Sequence, residues 1–281
     1  MNILVFGKTG QVARELQRIA DVTALGRDDA DLSRPERCAE AIRTAAPDLV
    51  INAAAYTAVD RAEEDEAQAT LINADAPGAM ARACAAQNIP FCHISTDYVF
   101  DGTGTEPRSP SDPVAPCNAY GRSKRAGEVA VRDAGGRAAI LRTSWVVSAH
   151  GNNFIKTMLR LAETRESLTV VEDQIGGPTP AADIAAALLR IGRAMVAGHE
   201  GGLYHFSGAP DTSWAGFARE IFSRSGAEVD VFGIPTSEYP TPAPRPLNSR
   251  LDCGTLEADF GIARPDWRAG LSLILKDLAL T

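Results

Sequence analysis

The chain has 281 residues, 45% of them hydrophobic and 23% charged, with a formal net charge of −8. An acidic chain without a basic run offers no face for phosphate neutralisation, which argues against nucleic acid as a partner. No apolar stretch reaches the roughly 20 residues that a bilayer span needs, so no membrane role is expected.

The opening segment Ile3–Phe6 is an apolar run ending in glycine, without the basic start of a signal peptide, so a cytoplasmic protein is expected. Gln11–Ala20 then carries Val12, Leu16 and Ile19 on one helical face. Val22–Leu25 reads as a strand. Pro35–Ala46 reads as a helix, with Ser33 as its N-cap and Pro35 in its first turn. Leu49–Asn52 is a third strand, Ala67–Gln87 one long alanine-rich helix, and Phe91–Ser95 a fourth strand. Ala119–Asp133 and Ala138–Arg142 follow as helix and strand. Strands alternating with helices imply a parallel sheet with right-handed crossovers. The expected fold is therefore a doubly wound, Rossmann-like α/β sheet.

After about residue 145, helices at Phe154–Thr164, Asp183–Ala197 and Trp214–Ser225 are separated by Pro- and Gly-rich segments. This predicts a cofactor domain over 1–145 and a smaller substrate lobe over 146–281, partly interleaved with it. The five cysteines are an odd number with no CxxC pair, which argues against a disulfide framework or a zinc site. His93 and His205 fall inside strands and are expected to be packed rather than metal-bound.

Gly7-Lys8-Thr9-Gly10-Gln11-Val12 lies between the first strand and first helix, the context of a dinucleotide loop. Gly7 permits the tight turn, Gly10 lets the backbone approach a pyrophosphate, and the helix N-terminus favours the anion. The second strand ends in Leu25-Gly26-Arg27, where an arginine can accept a 2′-phosphate. That favours NADPH, while Asp28 and Asp29 leave NADH open. Ala53-Ala54-Ala55 ends the third strand with small side chains that let a cofactor pass over the sheet edge.

Tyr120 and Lys124 form a Tyr-x-x-x-Lys pair, one turn apart on a helix face. Thr96 follows the fourth strand, where ligands gather in open α/β sheets. Hydride arriving at a ketone leaves charge on oxygen. A phenol can protonate that oxygen, and a threonine hydroxyl can stabilise it. The Lys124 cation is expected to lower the Tyr120 pKa.

These segments together resemble the dTDP-4-dehydrorhamnose reductase family of extended short-chain dehydrogenases. The likeness runs through Asn2–Val12, Asn52–Asp60, Ser95–Phe100, Arg142–Val146, Gly151–Phe154, Asp173-Gln174, Gly177–Thr179 and Arg245–Leu251. It implies NADPH-dependent reduction of the 4-keto group of dTDP-4-dehydro-L-rhamnose, with Thr96, Tyr120 and Lys124 catalytic. It implies that Asp31 and Leu32 hold the adenine, and that Asn73 faces the cofactor. Val59, Asp97, Tyr98 and Trp145 would line the sugar pocket. Asn153, Lys156, Arg245 and Asn248 are candidates for the nucleotide diphosphate. The chain departs from the family at Tyr56, where a histidine is frequent. Some members form a homodimer around a divalent ion. Glu15 and Asp183 match that position, which leaves Mg open at a dimer contact without a committed metal site. The alternatives are another nucleotide-sugar reductase or epimerase, or a non-catalytic NADP-binding regulatory subunit.

Overall fold

The computed structural model describes residues 1–279. Its first half runs β1 (Ile3–Phe6), α1 (Gln11–Ile19), β2 (Thr23–Leu25), α2 (Pro35–Ala45), β3 (Leu49–Asn52), α3 (Val59–Glu64), α4 (Glu66–Thr70), α5 (Ala76–Ala86), β4 (Phe91–Thr96), α6 (Ala119–Asp133) and β5 (Ala138–Thr143). The second half continues with β6 (Val146–Val147), α7 (Phe154–Ala162), β7 (Ser167–Val171), β8 (Ile175–Gly176), β9 (Thr179–Pro180), α8 (Ala181–Val196), β10 (Gly201–Phe206), β11 (Thr212–Ser213), α9 (Trp214–Ser225), β12 (Asp230–Ile234), β13 (Asn248–Ser249), α10 (Gly254–Phe260) and α11 (Trp267–Asp277).

Six parallel strands form the main sheet in the order β10-β5-β4-β3-β1-β2. Helices cover both faces, which is why β1 and β3 are buried at every position and show no alternation. Val12, Leu16, Ile184 and Leu188 of α1 and α8 pack on one face, and Cys38, Ile42, Met80 and Cys84 of α2 and α5 on the other. Chain order reverses between β1 and β3, so the Rossmann-like sheet opens a crevice at the carboxyl ends of these strands. Register sets the level of that edge: Phe6 lies beside Asn52, and Thr96 beside Thr143.

His93 and His205 are fully buried in β4 and β10. The remaining short strands, with α7, α9 and α11, build a lobe over a second core that includes Phe217, Ile221, Trp267 and Leu271. Among the described residues, no helix is long and apolar enough to cross a membrane.

The long helix expected over 67–87 is interrupted. A π-helical turn at Leu71–Asp75 joins α4 to α5. Pro77 explains it: proline has no N–H for the Asn73 carbonyl four residues back, and its ring clashes with that carbonyl. The local widening relieves the clash. The displaced Asn73 carbonyl lies against α6 at Gly127, where an added Cβ would overlap the oxygen and stand 3.2 Å from its carbon.

Candidate active site

A cleft of about 1220 Å³ runs along the carboxyl ends of the strands. That exceeds the roughly 300–1,000 Å³ of a single small-molecule pocket and leaves room for two ligands. Gly7–Val12, Gly26–Leu32 and Ala53–Ala55 line one end. Gly7 has φ +111°, and an added Cβ would stand 3.3 Å from the Ala53 carbonyl, so glycine closes the turn here. Gly10 caps α1 with no side-chain hydrogen bond, and no acid occupies the first turn. The leading N–H groups thus meet no competing anion of the chain itself.

Arg27 lies in the cleft wall. The Asp29 carboxylate accepts from Gly26 N at 2.8 Å, and Asp31 accepts from Ser33 N at 2.9 Å. The latter bond holds the Asp31 carboxyl below its usual range, with Arg27 contributing. Both acids are thereby engaged by local backbone. A bare helix N-terminus, a glycine turn against β3 and a cationic wall fit a phosphorylated dinucleotide.

Thr96, Tyr120 and Lys124 line the middle of the same cleft. Three contacts place the start of α6. Asn118 caps it by accepting from Gly121 N at 2.7 Å, and donates through Nδ2 to Pro244 O at 2.8 Å. Ala119 N donates to Glu63 Oε1 at 2.7 Å. Gly121 lets the helix press on the Tyr98 carbonyl, since a Cβ there would overlap the oxygen. The Tyr98 and Tyr120 rings meet edge to face at 5.5 Å. The Thr96 hydroxyl donates to Asp97 Oδ1 at 3.1 Å and accepts from Tyr98 N at 3.2 Å.

Lys124 is 2% exposed and donates through Nζ to Ile94 O at 2.7 Å. Burial pulls its pKa down to about 8, opposed by Glu128. Burial pushes the Tyr120 phenol up to about 12; the neighbouring Thr96 hydroxyl opposes this and Asp97 reinforces it. The lowering of Tyr120 by Lys124 expected from the sequence is therefore corrected. Desolvation is the largest influence on the phenol, and the Lys124 ammonium is held by the Ile94 carbonyl. Burial also raises Asp97 to about 6, and its Oδ2 has no hydrogen-bond partner among the described residues.

A buried ion pair supports this floor from below. Arg142 grips Glu128 with Nε–Oε1 at 2.7 Å and Nη2–Oε2 at 2.8 Å, and Ser95 Oγ donates to Glu128 Oε1 at 2.7 Å. Burial alone would raise the Glu128 carboxyl, but Arg142 and Ser95 outweigh it and hold it low. Ser95 adjoins Thr96, and Glu128 lies one turn beyond Lys124, so the pair ties β4, β5 and α6 together.

The other expected residues divide. Val59, Asp97, Tyr98 and Trp145 line the cleft. Asn73 does not. Its amide accepts from Tyr56 N at 2.8 Å and donates to Tyr56 O at 3.0 Å and Ser123 Oγ at 2.9 Å, so it braces the loop after β3. Asn248 donates to Glu106 O at 2.9 Å, and Arg245 pairs with Asp60 at 2.8 Å. Asn153 caps α7 and donates to Ser148 O at 2.7 Å and Gln11 Oε1 at 3.0 Å; its neighbour Asn152 lines the cleft instead. Lys156 Nζ reaches Ala149 O at 3.5 Å, away from the cleft wall.

Tyr56, the departure from the family pattern, lines the cleft and packs beside Tyr120 over Ala62, Ala69 and Ala119. Sequence reasoning missed Trp214, whose ring stacks on Trp145 at 3.6 Å and 10°. It stands at the first position of α9, and only the fold brings it to the cleft. Glu15 is engaged by Arg18 at 2.8 Å with His150 at 3.7 Å. Among the described residues there is no cluster of three or more ligating side chains that could hold a metal.

The family model described as the RmlD substrate binding domain matches residues 1–280. The dTDP-4-dehydrorhamnose reductase of Sinorhizobium fredii is 46% identical, covering 95% of this chain and 94% of that protein. That of Escherichia coli K12 is 43% identical over 100% of this chain and 99% of its own. Among solved structures, the dTDP-4-dehydrorhamnose reductase of Clostridium acetobutylicum superposes with a TM-score of 0.93 at 36% identity, covering 99% of this chain and 100% of that one. The Bacillus anthracis enzyme, in complex with NADP, gives 0.92 at 33% identity over 99% and 100%. Matched along nearly its whole length in both sequence and fold, the chain belongs to the RmlD substrate binding domain family, among whose relatives are the dTDP-4-dehydrorhamnose reductases.

Proposed function

We propose that this protein reduces the 4-keto group of dTDP-4-dehydro-L-rhamnose to give dTDP-L-rhamnose. The observation that carries this reading is one continuous cleft with a phosphate cradle at one end and Thr96, Tyr120 and Lys124 at its middle. Bound NADPH supplies the hydride. Arg27 meets its 2′-phosphate, and the first turn of α1 meets its diphosphate.

Tyr120 holds its proton firmly, since burial keeps the phenol near 12. In the reduction direction that is the state a general acid needs. The proton passes from the Tyr120 oxygen to the developing C4 alkoxide as its basicity rises. Thr96 lies beside Tyr120, and its hydroxyl turns from Asp97 Oδ1 to donate to the same oxygen. Lys124, near half charge at about pH 8, leaves the Ile94 carbonyl to bind the cofactor ribose. The unpartnered Asp97 Oδ2 is suited to a sugar hydroxyl, and the Trp145 ring forms a flat wall for the deoxysugar.

The residue after Asp97 is Tyr98, so no second acid stands beside Thr96 for the elimination chemistry of a dehydratase. The test is loss of NADPH absorbance with enzymatically generated dTDP-4-dehydro-L-rhamnose, together with identification of the product. Stoichiometric cofactor consumption with dTDP-L-rhamnose formed supports the reading. Epimerisation without net NADPH loss, or binding without turnover, overturns it.

A further inference from the structure

We propose that Trp214 is a positioning residue for the substrate end of the cleft, acting through the ring of Trp145, and that Gln174 and Thr236 hold it there. The inference rests on the reading of Trp145 as the wall against the nucleotide-sugar.

Trp145 cannot hold its own place. Its backbone sits at φ +49°, a left-handed conformation that a bulky side chain rarely adopts and that persists only where the surroundings enforce it. Three neighbours do so. The Trp145 carbonyl accepts from Thr179 N at 3.0 Å. Gly176 gives the ring room, since a Cβ there would stand 3.0 Å from the indole. Trp214 stacks on the indole at 3.6 Å, within 10° of parallel.

Trp214 is anchored in turn. Its indole N–H donates to Gln174 Oε1 at 3.1 Å, and Gln174 Nε2 donates to Thr236 Oγ1 at 3.1 Å. The Thr236 hydroxyl donates to Asp173 Oδ1 at 2.6 Å. Gln174 is 7% exposed, so the bond to the indole is buried, while the far end of the string at Asp173 reaches the surface. Behind the ring, Phe154 lies at 4.6 Å and leads into the core of the second lobe. Ser213, just before Trp214, is paired with Ile175 across β8 and β11. The stack therefore connects the second lobe to the segment just after β5, on the wall assigned to the nucleotide-sugar. Its expected effect is selective: the nucleotide-sugar is felt and the dinucleotide is not.

The test compares Trp214→Leu, Trp214→Phe and Gln174→Met in the full chain. Trp214→Leu should raise the KM for dTDP-4-dehydro-L-rhamnose by roughly tenfold or more, leaving kcat and the NADPH Kd within about twofold. Trp214→Phe, which keeps a flat face, should recover most of that loss. Gln174→Met should fall between them. The proposal is overturned if Trp214→Leu leaves KM unchanged, if NADPH affinity falls in parallel, or if Trp214→Phe is as damaging as Trp214→Leu. The last result would mean that the indole itself contacts the substrate.

A substrate-free readout separates this from the functional reading. In near-ultraviolet circular dichroism the native protein should show a coupled indole signal that either Trp145→Phe or Trp214→Phe removes completely. Contributions that subtract independently overturn the pairing. A native protein that shows the coupled signal but does not consume NADPH overturns the functional reading alone.

Discussion

Replacing Gly121 with alanine adds one methyl group between Tyr120 and Arg122 and removes no proposed catalytic atom. The new Cβ would overlap the Tyr98 carbonyl oxygen and stand 3.1 Å from its carbon and 3.0 Å from Pro116 Cβ. Two of these neighbours are main-chain atoms, and the third belongs to a rigid ring, so no flexible side chain can swing away. Relief requires the first turn of α6 to retreat from Tyr98 by roughly 1 Å. A displacement of that size at reacting groups costs about 10²-fold in rate. The overpacking itself costs about 1–3 kcal/mol of stability. Turnover of the keto-sugar would be followed alongside a thermal melt and an NADPH titration. The expected result is a fall in kcat of about 10²-fold, with a much smaller loss of NADPH affinity, because the cradle at Gly7–Val12 is untouched and only the ribose contact of Lys124 lies on the shifted helix. Native kcat in Gly121→Ala would refute the claim that this close approach sets the position of Tyr120.

Tyr120→Phe should lower kcat by about 10²-fold or more, the scale of a lost general acid, with little change in melting temperature. Arg27→Ala should weaken NADPH binding by about tenfold while leaving NADH binding within twofold, since only NADPH carries the 2′-phosphate; equal losses for both would remove Arg27 from that role. Arg142→Met would leave the buried Glu128 with only Arg125 at 3.1 Å and Ser95 at 2.7 Å as partners and should cost up to about 3–5 kcal/mol in urea unfolding, and adding Glu128→Gln should restore part of it. Lys124 titrates near 8 in the folded chain against 10.5 unfolded, so between these values the unfolded state binds the extra proton. The contribution of Lys124 to stability then rises with pH from about 8 to 10.5, and the cost of the buried cation is constant below that window. Lys124→Met should flatten this slope in urea midpoints measured across pH; parallel profiles would sink the assignment.

Much of the dinucleotide end was legible because its parts are contiguous. Strand, glycine turn and helix N-terminus follow one another over Ile3–Val12, and short-range geometry alone brings them together. The Tyr120–Lys124 pair was legible for the same reason, since helical spacing places both on one face. The π turn was also within reach: Pro77 stands four residues after Asn73, and a proline inside a helical pattern is a local signal. The amide residues were not. Asn73, Asn153 and Asn248 all carry groups suited to a ligand, yet each spends them on a distant segment of the chain, at Tyr56 O, Gln11 Oε1 and Glu106 O. An amide finds its partner by proximity in the folded chain, and nothing in its neighbours along the sequence distinguishes a brace from a ligand contact.

By itself, the sequence determined the order of most strands and helices, the glycine turn at the head of α1 and the placing of Tyr120 and Lys124 on one helix, because each depends on interactions within one or two turns of chain. The tertiary structure decided the protonation states and the far wall. Tyr120 is raised rather than lowered because desolvation depends on every segment packed around it. Trp145 faces Trp214 only because two lobes, joined by β10 returning to the main sheet, bring together residues 69 positions apart.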